Sequence, residues 1–247
     1  MTYKIVIPSY NRFSTILGRT LKFLLSHNID MNKVYIFAHP SSYDEYKIIE
    51  DKIKGVKVIE SKGGIMNSRN YITEYFEEGT KIVSIDDDIE DLIDLRKDKP
   101  LENLHEFIEE SFNMCNGLWG VSALTNKFFA TMHDKYGLRS IVATFCGYVL
   151  DKSIKLTLDL MEDHQRTILY YLNNKSILKR GWVGIKTKYW KLEGGLQTDL
   201  DREKRLQLQN FCSNELATSY PHLVFQRKRK SGLLDIRFKK NIKKKLI

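Results

Sequence analysis

The chain has 247 residues, 42% hydrophobic and 29% charged, which excludes a disordered or fibrous protein and permits one large α/β domain. Its formal charge of +9 lies at one end: Tyr220 to Ile247 holds ten Lys/Arg against Asp235 alone, and the remainder carries thirty of each sign. A basic end suits a polyanion, and on charge alone it fits a solvated tail equally well.

The first half alternates short β-branched runs with helical patterns. Tyr3–Pro8 reads as a strand, Ser14–Ser26 as a helix, Lys33–Phe37 as a strand and Tyr43–Lys52 as a helix. Val56–Glu60 follows as a strand, Ile65–Phe76 as a helix and Lys81–Ile85 as a fourth strand. This alternation predicts a parallel sheet with right-handed crossovers and ligands beyond the carboxyl ends of its strands. Beyond Pro100 the spacing predicts a helix over Leu101–Cys115, strands at Gly120–Leu124 and Ile141–Leu150, and a helix over Glu162–Asn173. An extended pair around Gly181–Gly184, a helix over Asp199–Ala217 and short strands at Leu223–Gln226 and Leu233–Phe238 complete the chain.

No apolar run reaches the length of a membrane span, so neither a signal peptide nor a transmembrane anchor is expected. Cys115, Cys146 and Cys212 are odd in number and widely spaced, as reduced thiols in a cytoplasm would be. The expected organisation is a single domain over 1–247, with a nucleotide-binding half over 1–100 and an acceptor-binding half over 101–247.

Three polar clusters fall at predicted strand ends. Pro8-Ser9-Tyr10-Asn11-Arg12 offers a ring to stack on a base and hydroxyl and amide groups for a ribose, although a turn with Ser14 as helix cap explains it as well. Lys62-Gly63-Gly64 opens a helix carrying Arg69-Asn70; glycine lets the backbone approach a ligand, and Arg offers a fork for phosphate. Asp86-Asp87-Asp88 ends the fourth strand, where three adjacent acids raise one another's pKa unless a cation is near. A divalent metal carrying a diphosphate would relieve that repulsion.

In this order and spacing the clusters resemble the start of a GT-A glycosyltransferase of the family 2 type, closely over 1–95 and more loosely through Cys146-Gly147-Tyr148-Val149 and Met161-Glu162-Asp163-His164. Within that superfamily the chain is most similar to the TET/JBP-associated glycosyltransferases, which include the base J glucosyltransferase and many phage enzymes. The resemblance implies a GT-A, Rossmann-like α/β fold: a mixed, mostly parallel sheet flanked by helices, with a C-terminal acceptor-binding extension. It implies transfer of a sugar, glucose first, from a UDP-sugar donor to the hydroxymethyl group of a modified pyrimidine in DNA, with inversion.

By the same resemblance, Pro8, Ser9, Tyr10, Asn11, Arg12, Gly64, Arg69, Asn70, Asp86 and Asp87 would meet the nucleotide-sugar. Asp88, with Asp86, would hold Mn²⁺ or Mg²⁺. Asp87 is the ambiguous member, facing the nucleotide or turned into the fold. His222 is the candidate third ligand, although a lone histidine beside a strand is more often only hydrogen-bonded. Asp163 is the expected general base and Glu162 the alternate, against a simpler role for both in favouring a helix N-terminus. Arg227, Lys228, Arg229, Lys230, Lys239 and Lys240, with Lys243–Lys245, would contact about four to six DNA phosphates. Trp182, Tyr189 and Trp190, among Lys179, Arg180, Lys186 and Lys188, are candidate stacking groups, with ordinary packing ahead of that role. A soluble transferase for a cell-surface glycan or other non-DNA acceptor is the alternative enzyme. A non-catalytic nucleic-acid-binding module is the third class, and stable membrane association is not expected.

Overall fold

The computed structural model describes residues 2–173, 175–187, 202–229 and 232–239. Strands β1 (Lys4–Ser9), β2 (Val34–Ala38), β3 (Lys57–Glu60) and β4 (Lys81–Ile85) stand in the order β3-β2-β1-β4, all parallel. Helices α1 (Phe13–Ile16) and α2 (Lys22–Ser26), α3 (Tyr43–Lys52) and α4 (Ile65–Tyr75) connect them. Every residue of β2 is buried, because helices cover both faces of the sheet.

The second half extends the same sheet. Its strands are β5 (Asp91–Asp94), β6 (Lys99–Pro100), β7 (Leu118–Ser122), β8 (Asp134–Tyr136), β9 (Phe145–Val149) and β10 (Ile177–Lys186). The order continues β4-β9-β7-β10-β5-β6, with β9 antiparallel to both neighbours and β7 parallel to β10. β8 and β5 share one flank of β10, β8 along Leu178–Arg180 and β5 along Val183–Lys186. The result is an α/β protein with a mixed sheet in which most strands run one way.

Alternation along the strands divides the core in two. Ile5 and Ile7 of β1 pack in one layer with Ile16, Leu24 and Ile49 and with helix α5 (Leu104–Met114). Val6 points to the other layer, with Ile72 of α4, Ile168 of α6 (Glu162–Leu172) and Leu216 of α7 (Arg202–Ser219). A hairpin of β11 (Val224–Lys228) and β12 (Leu234–Phe238) packs on α7 through Val224 and Ile236.

Several expected bounds move. The helix expected over 101–115 begins at Leu104, where the Asn103 side chain accepts the Glu106 amide at 3.0 Å. The strand expected over 141–150 begins at Phe145, and the pair expected around Gly181–Gly184 is a single strand, β10. The first helix contains a π-turn at Leu17–Leu21. The expected start of the long helix, 199–201, lies outside the described residues. Among the described residues no helix is long and apolar enough to cross a membrane.

Candidate active site

The parallel strands end on one rim, and a cleft of about 480 Å³ opens there. Pro8, Ser9, Tyr10 and Arg12 line it from the end of β1; Phe37 and His39 come from the end of β2. Gly64, Ser68 and Arg69 enter with α4, and Asp86, Asp87 and Asp88 follow β4. The opposite wall is Glu162, Asp163 and His164 at the start of α6, closed by Arg205 and Gln209 of α7 and Asp235 of β12.

The three acids are not equivalent. Asp87 is 5% exposed and turned inward. It accepts from Ser9 Oγ at 2.6 Å and pairs with Arg12 Nη1 at 3.0 Å, while the Tyr46 hydroxyl meets Ser9 Oγ at 2.7 Å. Burial raises its pKa to about 6, against the lowering pull of Arg12. Asp88 lies 3.5 Å from the same Arg12 nitrogen, and burial followed by the Asp86 charge raises its pKa. Asp86 is the more open, with its side chain 34% exposed and 3.6 Å from Arg69 Nη2.

The backbone carrying these acids is clamped from three sides. Thr20 Oγ1 donates to the Asp86 carbonyl at 2.8 Å and accepts from the Ile89 amide at 3.0 Å. Thr187 Oγ1 donates to the Asp88 carbonyl at 2.9 Å, and the Asp86 amide donates to the Thr144 carbonyl at 3.0 Å. Thr20 lies in the π-turn, a helix irregularity that recurs near functional sites.

Arg69 joins the two walls. It is 3% exposed, and its Nη1 donates to Ser84 Oγ at 3.2 Å. Its Nε lies 3.1 Å from Glu162, a contact of charge without an aligned hydrogen bond. The guanidinium expected to grip a phosphate is therefore held between carboxylates. Burial raises the Glu162 pKa, Asp163 adds to the rise, and Arg69 opposes it.

Asp163 and His164 form a dyad. Asp163 Oδ1 accepts the His164 amide at 2.7 Å and lies 2.8 Å from its Nδ1. Burial works against both charges, yet the mutual attraction prevails: the Asp163 pKa is lowered and the His164 pKa is raised. The His164 ring stacks on Phe238 of β12 at 5.7 Å, and Asp235 adds to its rise. Met161, just before the dyad, adopts a left-handed backbone at φ 61°, uncommon for a non-glycine residue.

Three sequence-predicted residues stand apart from the lining. Asn11 takes a left-handed φ of 50° and shapes the turn after β1. Asn70 grips the Leu156 backbone, accepting its amide at 2.9 Å and donating to its carbonyl at 2.8 Å. His222 is exposed in the turn before β11 and is not brought to the acids. Gly64 serves through its backbone, with φ 82° at the start of α4. Sequence reasoning missed His39, whose ring lies 4.3 Å from that of Tyr10, and Arg205, Gln209 and Asp235.

Among the described residues no group of three or more His, Cys, Asp or Glu is placed to hold a metal. Asp86 and Asp88 both line the cleft, and carboxylate oxygens are the ligand type that Mg²⁺ and Mn²⁺ take together with phosphate and water oxygens. In the basic hairpin Arg227, Lys228 and Arg229 are exposed, although Arg229 donates to Asp235 at 2.9 Å. Lys239 donates to the Pro221 carbonyl at 2.7 Å. Lys230, Lys240 and Lys243–Lys245, with Lys188, Tyr189 and Trp190, lie outside the described residues. Trp182 is core: it is 7% exposed, with the Arg96 guanidinium 3.4 Å from its ring centre and Phe107 on its edge.

No protein-family model matches the chain. No curated protein matches it either. Among solved structures, the chain is similar to a crystal structure of a mycobacterial protein, with a TM-score of 0.54 over 96% of this chain and 83% of that one. The two share 9% sequence identity, so the likeness concerns the fold alone.

Proposed function

We propose that the chain is a glycosyltransferase of GT-A architecture that moves a sugar from a nucleotide diphosphate donor, UDP-glucose first, to a hydroxymethylpyrimidine in DNA. The observation that supports this most is the pairing of two carboxylate sites across one cleft. Arg69 lies 3.6 Å from Asp86 on the wall below β4 and 3.1 Å from Glu162 on the wall that carries Asp163. A donor over the first wall would present its anomeric carbon to an acceptor hydroxyl beside the second. Tyr10 and His39 form an aromatic ledge suited to a nucleobase.

Asp163 is the general base in this reading. His164 occupies one of its oxygens and keeps it ionised at neutral pH; the other has no partner among the described residues and is free to take the hydroxyl proton. Glu162 is less suited, because its carboxylate is already tied to Arg69 at 3.1 Å. Asp86 and Asp88 would hold Mg²⁺ or Mn²⁺, which supplies Lewis-acid stabilisation of the departing diphosphate. Asp87 positions Arg12 and Ser9 beneath them. Direct attack with one base inverts the anomeric carbon. The exposed cations of the hairpin supply phosphate contacts for the DNA, and the reading implies a cytoplasmic enzyme.

Labelled UDP-glucose and other nucleotide sugars, offered with hydroxymethylpyrimidine DNA and with unmodified DNA, test the assignment. Label is expected in the modified DNA only. Asp163→Asn should lower transfer by about 10²–10⁴-fold while UDP still binds. Label in neither DNA would overturn the acceptor, and full transfer by Asp163→Asn would overturn the base.

A further inference from the structure

Away from the cleft, one set of cations has no counter-charge among the described residues. Lys135 of β8 and Lys179 of β10 are direct partners in an antiparallel ladder, and like charges so placed destabilise a sheet. Arg139 is the third member. The Lys179 pKa is lowered, first by burial and then by the charges of Lys135 and Arg139, with no carboxylate in opposition. Its ammonium donates to the Ser140 carbonyl at 3.3 Å, and Arg139 Nε is buried without a hydrogen-bond partner. The nearest acid in sequence, Asp134, is committed to Arg180 at 3.1 Å on the other face of the strand.

We infer that Lys135, Arg139 and Lys179 form a phosphate site that takes a backbone phosphodiester of the nucleic-acid acceptor, a few nucleotides from the base held in the cleft. This rests on the DNA reading above and adds a contact apart from the basic hairpin. Lys179 shares its strand face with Ile177, which packs in the same layer as Ile168 of α6. The cations therefore lie on the side of the sheet that carries Asp163. Thr144 lines the cleft and lies four positions along the chain from Ser140, a span of at most about 14 Å. At about 3.4 Å of rise per nucleotide that is a reach of some four nucleotides. Each of the three residues is partly buried, so their charges are less screened by salt than those of the exposed hairpin cations.

The test uses the full chain, with Lys135→Gln, Arg139→Gln and Lys179→Met made singly and the first two together. Binding to a labelled hydroxymethylpyrimidine oligonucleotide, single-stranded and duplex, is measured by anisotropy across a salt series, with thermal melting as the fold control. The double variant is expected to bind about tenfold more weakly at moderate salt and to reduce the salt slope by about one to two. Lys179→Met should bind more weakly yet melt higher than the parent without DNA, because repulsion is relieved. An unchanged slope in folded variants, beside a wild type that binds, overturns the site and leaves the DNA reading standing. No DNA binding by the wild type at low salt overturns both. Retention on phosphatidylserine vesicles that the variants lose, with the DNA slope unmoved, assigns the site to lipid and overturns the proposal.

Discussion

Replacing Arg69 with Met removes the cation that bridges the two walls of the cleft. Arg69 is 3% exposed, and Glu162, 3.1 Å away, has a side chain only 12% exposed, so water cannot take over the missing charge. Breaking a buried pair by deleting one partner costs about 3–5 kcal/mol. For a chain of this length each kcal/mol corresponds to about 2–4 °C in melting temperature, so a drop of about 6–20 °C is expected. Asp86, being more open, contributes less. The loss has a pH signature. Burial already raises the Glu162 pKa, and without Arg69 it rises further. A carboxylate with a raised folded pKa destabilises as pH climbs from its unfolded value through the folded one, so Arg69→Met should lose more stability at pH 8 than at pH 5. Adding Glu162→Gln should restore most of the loss, since the stranded charge is gone. Melting curves of the two single variants and the double, at both pH values, measure the coupling. Arg69→Met melting within about 2 °C of the parent at pH 8, or no recovery in the double variant, would refute the account.

His164→Asn should move the acid limb of kcat/KM to higher pH, because Asp163 loses the cation that lowers its pKa; an unmoved limb would separate the two residues. The same pair contributes to stability between two limits: it is lost as pH falls through the lowered Asp163 pKa, below 3.8, and as pH rises through the raised His164 pKa, above 6.5. The variant should therefore lose melting temperature mainly between those limits, where the pair contributes, and little outside them. Asn70→Ala should cost about 1–3 kcal/mol by stranding the Leu156 amide and carbonyl, while leaving UDP affinity as it is, which urea unfolding and calorimetry would separate.

The first four strands were legible because their hydrophobic runs are short, β-branched and separated by helical periods. β10 was legible only as an extended pair around Gly181 and Gly184. They are points of close approach: a Cβ on Gly181 would lie 2.0 Å from Thr131 Oγ1, and one on Gly184 would lie 2.6 Å from the Leu124 carbonyl. A glycine chosen for a neighbour distant in sequence carries the same local signal as one chosen for a turn. β5, β6 and β8 are only two to four residues long, too short for any period to show. In the site, the local motif marked Asp86–Asp88 and the resemblance marked Glu162-Asp163, and both line one cleft. Arg205, Gln209 and Asp235 reach it only through tertiary packing of α7 and the hairpin, and nothing near them in sequence marks the contact. His222 was chosen for its place along the chain, whereas the turn after α7 directs it outward.

The antiparallel β9 between β4 and β7 also sets an order of events during synthesis. Ile85 pairs with Phe145, so one edge of β4 stays open until about sixty further residues have been made, several seconds at ribosomal rates. The Asp86 amide has no carbonyl to bond until Thr144 arrives with that strand. A fragment cut near Pro100 would keep the bare edge permanently, together with the self-association that unpaired strands invite. The acid loop is thus finished by a strand that enters the sheet late.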